Sequence, residues 1–316
     1  MNPFRAFLVF FTLATSGVFG CAKSPAPSGG EVRAFTDDLG RTVELRQPVA
    51  RVATVAPSLT EIVFTAGAGR KLVGVTTADD YPPAVDTLPR FSALPMNFEA
   101  VAALRPDVVL GLTQINNPRD AETFAALGIP MVFFSFRRLG DVMRVLRTTG
   151  DLLGAAARAR AAADSLQRLV DDLRARSEAI EERPRVLFLI GDGTLFAFGP
   201  ESYIHELIFL AGGQSITEDL TTEAPILSEE FVLTSAPDVI VGAFGEDYDP
   251  ARLLALHPTW TVVPAIRDGR VFSFAPDLFL RPGPRLVEGA RRLAARLHPS
   301  LFAAEATGER PSGERP

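Results

Sequence analysis

Side chains able to do acid–base or metal chemistry are few in this chain, and they are scattered. His205, His257 and His298 lack the i, i+4 spacing by which two helical histidines share a metal, and they read as surface or helix-cap residues. Asp79 and Asp80 are adjacent carboxylates, but Pro82-Pro83 follows almost at once, so they read as turn residues rather than an acid/base pair. There is no P-loop, nucleophile elbow, HExxH or dinucleotide glycine fingerprint. Enzymatic chemistry therefore finds little support, and no metal or resident cofactor is expected. Two other carboxylates stand out by their placement. Asn97-Phe-Glu-Ala-Val-Ala-Ala-Leu-Arg-Pro-Asp-Val-Val-Leu-Gly111 recurs 131 positions later as Ser228-Glu-Glu-Phe-Val-Leu-Thr-Ser-Ala-Pro-Asp-Val-Ile-Val-Gly242. Glu99 and Glu230 each stand seven residues before a Pro-Asp pair. Carboxylates duplicated in this way suit ion pairing with a partner that reads both copies.

A repeat of helix, Pro-Asp and apolar strand predicts two similar lobes. Apolar runs bounded by turn residues alternate with helical patterns, which predicts parallel βα units. Strands are expected at Arg51–Val55, Leu72–Thr76, Val108–Leu112, Met131–Phe134, Val186–Ile190, Val239–Val241 and Val271–Phe274. Helices are expected around Leu59–Ala66, Phe98–Leu104, Arg119–Leu127, Tyr203–Ala211, Glu229–Thr234, Ala251–Ala255 and Pro284–Leu297. Asn97 and Ser228 are good N-caps, and Ser58-Leu-Thr-Glu61 has capping-box spacing. Between the halves, Leu166, Leu169, Val170 and Leu173 recur at helical spacing. The stretch Ala155–Glu182 reads as one helix of roughly 40 Å. The expected fold class is therefore α/β, with two similar lobes joined by one long rigid helix and a ligand cleft between them. Residues 32–138 form the first lobe, 139–183 the connecting helical region and 184–302 the second lobe.

In such folds ligands sit at the carboxyl ends of the strands. The loops expected there carry Pro57 and Ser58, then Ala78 and Tyr81, and then Phe136 with Arg137 and Arg138. The second half contributes Phe198, Pro225, Asp277, Phe279 and Arg281. Apolar and aromatic groups with a few polar ones suit a bulky organic ligand.

Composition narrows the possible partners. The 316 residues are 47% hydrophobic and 22% charged, enough for a sizeable core in a folded protein. A formal net charge of −6, with arginines scattered and lysine only at Lys23 and Lys71, argues against nucleic acid. At the N-terminus Arg5 precedes an apolar run, Ala6 to Leu13, too short to span a bilayer, which takes about 20 residues. Residues 1–20 read as a secretory signal, which places the mature chain in the periplasm or cell envelope. Cys21, the only cysteine, follows Gly20 in a segment that resembles the lipobox of bacterial lipoproteins, which implies a lipid anchor there. Residues 21–31 then form a flexible tether, and the polar tail 303–316 is expected to be disordered.

From about Arg51 to Leu297 the chain resembles the substrate-binding proteins of ABC importers for cobalamin and ferric siderophores. The marks are Arg51-Val-Ala-Thr-Val-Ala-Pro-Ser-Leu-Thr-Glu61, Leu72-Val-Gly-Val-Thr76, Asp80-Tyr-Pro-Pro83 and Asn97-Phe-Glu99 with Arg105-Pro-Asp107. Phe198-Gly-Pro200, Ala211-Gly-Gly213 and Gly283-Pro-Arg285 continue the likeness in the second half. The resemblance implies a monomer that carries a corrinoid, or alternatively a ferric siderophore or haem, as cargo rather than cofactor. It also implies that Glu99 and Glu230 pair with arginines on a dimeric membrane permease. Three aromatics usual in cobalamin binders are missing, two of them at Ala78 and Ala224 and one before Asn97. Phe91, Phe136 and Phe279 are the candidates to replace those walls, and Arg137, Arg138 and Arg281 are the candidates to face an anionic siderophore. The rival classes are a secreted α/β enzyme and a lipid-anchored ligand sensor.

Overall fold

The computed structural model describes residues 31–302. Cys21, the signal segment, the tether and the tail 303–316 lie outside the described residues. The chain enters through an antiparallel hairpin of β1 (Val32–Thr36) and β2 (Thr42–Arg46), two strands beyond those expected from sequence. The first lobe follows in chain order as β3 (Val52–Thr54), α1 (Pro57–Thr65), β4 (Leu72–Thr76), β5 (Arg90–Phe91), α2 (Phe98–Ala103), β6 (Val108–Leu112), α3 (Asp120–Ala126) and β7 (Met131–Phe134). Its five strands are parallel in the order β5-β4-β3-β6-β7. Strands β6 and β7 are buried along their whole length, as continuous apolar runs under helices must be.

Two helices link the lobes, α4 (Gly140–Leu152) and α5 (Ala156–Glu178). The expected single helix is α5, 23 residues long and thus about 35 Å. It ends at Glu178, four residues short of Glu182. Helix α4 packs along α5 so closely that a Cβ at Gly150 would lie 2.1 Å from the Cβ of Ala159. Gly154, at φ +67°, makes the turn between them.

The second lobe runs through β8 (Arg185–Leu189), α6 (Tyr203–Leu210), β9 (Gln214–Ser215), α7 (Glu229–Ser235), β10 (Val239–Gly242), α8 (Pro250–Leu256), α9 (Pro264–Arg267), β11 (Val271–Ser273) and α10 (Leu286–Leu297). Its four strands are also parallel, in the order β11-β10-β8-β9. Each lobe has a private apolar cluster, around Phe124 and Phe133 in the first and Trp260 in the second. One larger cluster passes through both. It includes Leu59 and Val142 of the first half, Val170 and Leu173 of α5, and Leu207 and Leu293 of the second half. The lobes thus share a core along α5, and burying that surface opposes their separation.

Candidate functional site

The seam between the lobes is closed by arginines of the second lobe and acids of the first. Arg285 donates to both oxygens of Glu61, Nη2 to Oε1 at 2.6 Å and Nε to Oε2 at 2.9 Å. Arg281 grips Asp80 in the same two-pronged way, Nη2 lying 3.1 Å from Oδ2, and also donates to the Ala78 carbonyl. Its Nε lies 3.0 Å from Asp277. The guanidinium of Arg285 sits 4.4 Å over the ring of Tyr81, a cation–π contact. Four of the expected site residues, Ala78, Tyr81, Asp277 and Arg281, therefore meet here. Bidentate guanidinium–carboxylate pairs fix orientation as well as charge. Burial pushes the Glu61 carboxyl above its ordinary value despite the Arg285 hydrogen bonds, whereas the Arg281 hydrogen bond holds Asp80 below its own.

Glu61 reaches Arg285 because α1 starts earlier than its sequence implies. Pro57 occupies the first turn and Ala56 the cap, with no side-chain cap bond. The expected Ser58–Glu61 capping box is therefore absent. Ser58 lies inside the helix, buried and with its hydroxyl unpartnered, and the carboxylate is freed to cross the seam.

Apolar side chains line the loops at the strand ends. Tyr81 after β4, Leu94 after β5, Ile115 after β6, and Phe196 and Ile226 in the second lobe are all exposed. Phe196 and Ile226 pair across a short antiparallel ribbon beyond β8, held by Ala197 N–H to Pro225 O at 2.9 Å and Leu227 N–H to Leu195 O at 2.9 Å. Of these five, Tyr81 is among the site residues expected above, and Ile115 lies in a loop, Gln114–Asn117, that the sequence also places at a strand end. Position after a strand end, combined with an apolar type that no core needs, was the available signal.

Several other expected residues lie elsewhere. Phe136 and Phe279 are buried in the shared core, and Phe91 in that of the first lobe. None of the three offers a wall to a ligand here, because each ring is consumed by packing. Phe279, for example, contacts Phe188 and Phe274 at 5.2 and 5.3 Å. Phe198 is half-buried against Phe188 and Tyr203. Pro225 is buried and Pro57 half-buried. Arg137 and Arg138 are exposed at the rim after β7.

The repeated segments agree in backbone geometry as well as sequence. Asn97 accepts from Ala100 N–H at 3.0 Å and Ser228 from Phe231 N–H at 3.1 Å, each capping its helix as expected. Arg105 and Ala236 both take the left-handed conformation, φ 48° and 43°, to enter Pro-Asp. The Asp107 carboxylate then accepts from Arg51 N–H, and that of Asp238 from Arg185 N–H, both at 2.8 Å. Glu99 and Glu230 stand exposed in the first turns of α2 and α7, without a side-chain partner among the described residues.

The histidines are structural. His298 bonds the Gly212 carbonyl at 3.0 Å. His205 contacts Ser215 and Thr217, and burial pushes its imidazole below the ordinary value. His257 departs from the surface reading. It is buried, stacked 4.3 Å over Trp260, because both ring nitrogens find oxygen partners inside the lobe. Among the described residues no cluster of His, Cys, Asp and Glu could hold a metal.

Comparison with known proteins gives this architecture a context. An ABC transporter substrate-binding lipoprotein of Bacillus subtilis is 26% identical over 272 residues, 84% of this chain and 85% of that protein. A vitamin B12-binding protein of Pectobacterium atrosepticum is 29% identical over 252 residues, covering 78% and 88%. The crystal structure of a periplasmic haem-binding protein from Pseudomonas aeruginosa superimposes with a TM-score of 0.70 at 29% identity, covering 80% of this chain and 94% of that one. The first of these relatives is named as part of a transporter and the other two as binding proteins. The family model for periplasmic binding proteins matches residues 52–278, and with two parallel-sheet lobes about a linking helix the chain belongs to that family, as a substrate-binding protein of an ABC importer.

Proposed function

We propose that the cargo is a corrinoid, cobalamin or a close relative, captured between the lobes and handed to the permease. The observation that carries this reading is the pairing of exposed apolar groups at the strand ends with arginines already matched by acids. Tyr81, Leu94, Ile115, Phe196 and Ile226 offer dispersion and burial to a large apolar-faced macrocycle. Arg281 and Arg285, by contrast, spend their charge on Asp80, Asp277 and Glu61. An anionic ferric siderophore would have to displace those carboxylates. The vitamin B12-binding relative supports the same class. Haem is the second reading, favoured by the half-exposed Tyr81 phenol at the seam and by the haem-binding relative. In either case the macrocycle is cargo and not a resident cofactor. Titration of the purified protein with cyanocobalamin, haemin and a ferric hydroxamate decides among them. Micromolar or tighter binding of cyanocobalamin alone is the expected result, and silence with it sinks the corrinoid assignment.

Glu99 and Glu230 are assigned the docking role, one on each lobe, facing cationic groups of a two-fold permease. The mature protein is assigned a lipid on Cys21 and a monomeric state. Mass spectrometry of the membrane-extracted protein tests the lipid, which adds a diacylglycerol to a chain beginning at Cys21.

A further inference from the structure

The residue beside each docking carboxylate differs between the lobes. In the first lobe it is Phe98, whose ring packs edge-on against Phe124 at 5.0 Å. In the second the matching residue is Glu229, held from beneath by His257 through Nδ1 to Oε1 and by Thr259 Oγ1 to Oε2 at 3.3 Å. His257 is 5% exposed and reaches the other way as well, its Nε2 lying 2.7 Å from the Asp192 carbonyl. Asp192 lies on the loop leaving β8, which runs on into the Phe196–Ile226 ribbon. Its carboxylate is gripped by Arg252 at 2.6 Å and approached by the Tyr248 hydroxyl at 3.3 Å. Ile226 is itself four residues before Glu230. A single buried imidazole thus ties the first turn of the docking helix to the loop that leaves β8.

We propose that His257 is the positioning residue of the second docking carboxylate. It acts through Glu229, fixing the first turn of α7 against the β8 loop so that Glu230 is presented in one direction. The first lobe does the same with an apolar contact, and the second with hydrogen bonds, which hold direction as well as distance. This inference rests on the docking role of Glu230. Because His257 is buried, it acts on docking without touching the permease.

The test measures binding of the full-length, cargo-free protein to its own permease complex in nanodiscs. His257→Gln is expected to raise the dissociation constant about tenfold. It should also flatten the ionic-strength dependence of the association rate, since a misdirected Glu230 steers less well. Glu229→Gln, a half-exposed change that leaves the core intact, should weaken docking by a similar factor. In that background His257→Gln should add less than about twofold. Docking of Glu229→Gln at the native level, or an undiminished His257→Gln effect in its presence, overturns the proposal. Glu230→Ala separates the two levels of argument. If it too docks like the native protein, the docking role itself is wrong, whereas its loss beside an indifferent Glu229→Gln condemns only the positioning role.

Discussion

Glu61, which is buried, and Arg285, which is half-buried, lie 224 positions apart and pair across the seam. Removing one partner strands a charge, and that costs more than the pair contributes. Glu61→Ala is expected to lose about 3 kcal/mol in denaturant unfolding, whereas Glu61→Leu with Arg285→Met should come out near neutral. The acid limb of stability reports the second pair. Asp80 is held below its ordinary value of 3.8, so its contribution is present above that pH and is lost as pH falls through the lowered value. Asp80→Asn should flatten this part of the acid limb, read by thermal unfolding from pH 5 to pH 2.5. Neither pair was legible in the sequence, although Asp80 and Arg281 were each singled out. Local spacing carries no trace of a partner two hundred residues away. Local spacing also misled at Ser58, where a capping-box pattern forms no cap because the helix starts two residues earlier, at Pro57.

At the scale of elements, periodicity and caps carried most of the information. Strands β4, β6 and β7 have the bounds their apolar runs predict, because buried parallel strands need uninterrupted apolar sequence. Strands β5 and β9 are two residues each and give no period to read. The caps allow a matched test. Asn97→Ala and Ser228→Ala should each cost about 1 kcal/mol, read by denaturant titration. Gly150 sets two effects against each other. Alanine there would gain about 1 kcal/mol of helix propensity, but its Cβ would meet Ala159 at 2.1 Å. Leucine, with more to fit, should destabilise by about 1–3 kcal/mol through overpacking of α4 on α5.

For the whole molecule, two lobes were legible because one segment occurs twice in the chain. Which aromatics face outward was not, since that depends on how each loop folds back. Phe136 and Phe279 look the same in sequence as Phe196, yet only Phe196 is exposed. The docking reading makes a prediction at this scale. Glu99→Arg with Glu230→Arg should abolish uptake in cells while cargo affinity of the purified protein stays within about twofold. Uptake that survives the double reversal removes the docking role.

Helix α5 also settles where work must be done. A rod of about 35 Å, with α4 seated against it at Gly150 and a common core along its length, leaves the lobes little room to swing or slide. A carrier that opens wide can lower its own grip by changing shape. One that cannot holds cargo with nearly the same strength wherever it stands, so unloading has to be powered by the machine that receives it. Mutations that loosen the α4–α5 contact should therefore speed spontaneous cargo loss in solution more than they alter equilibrium capture.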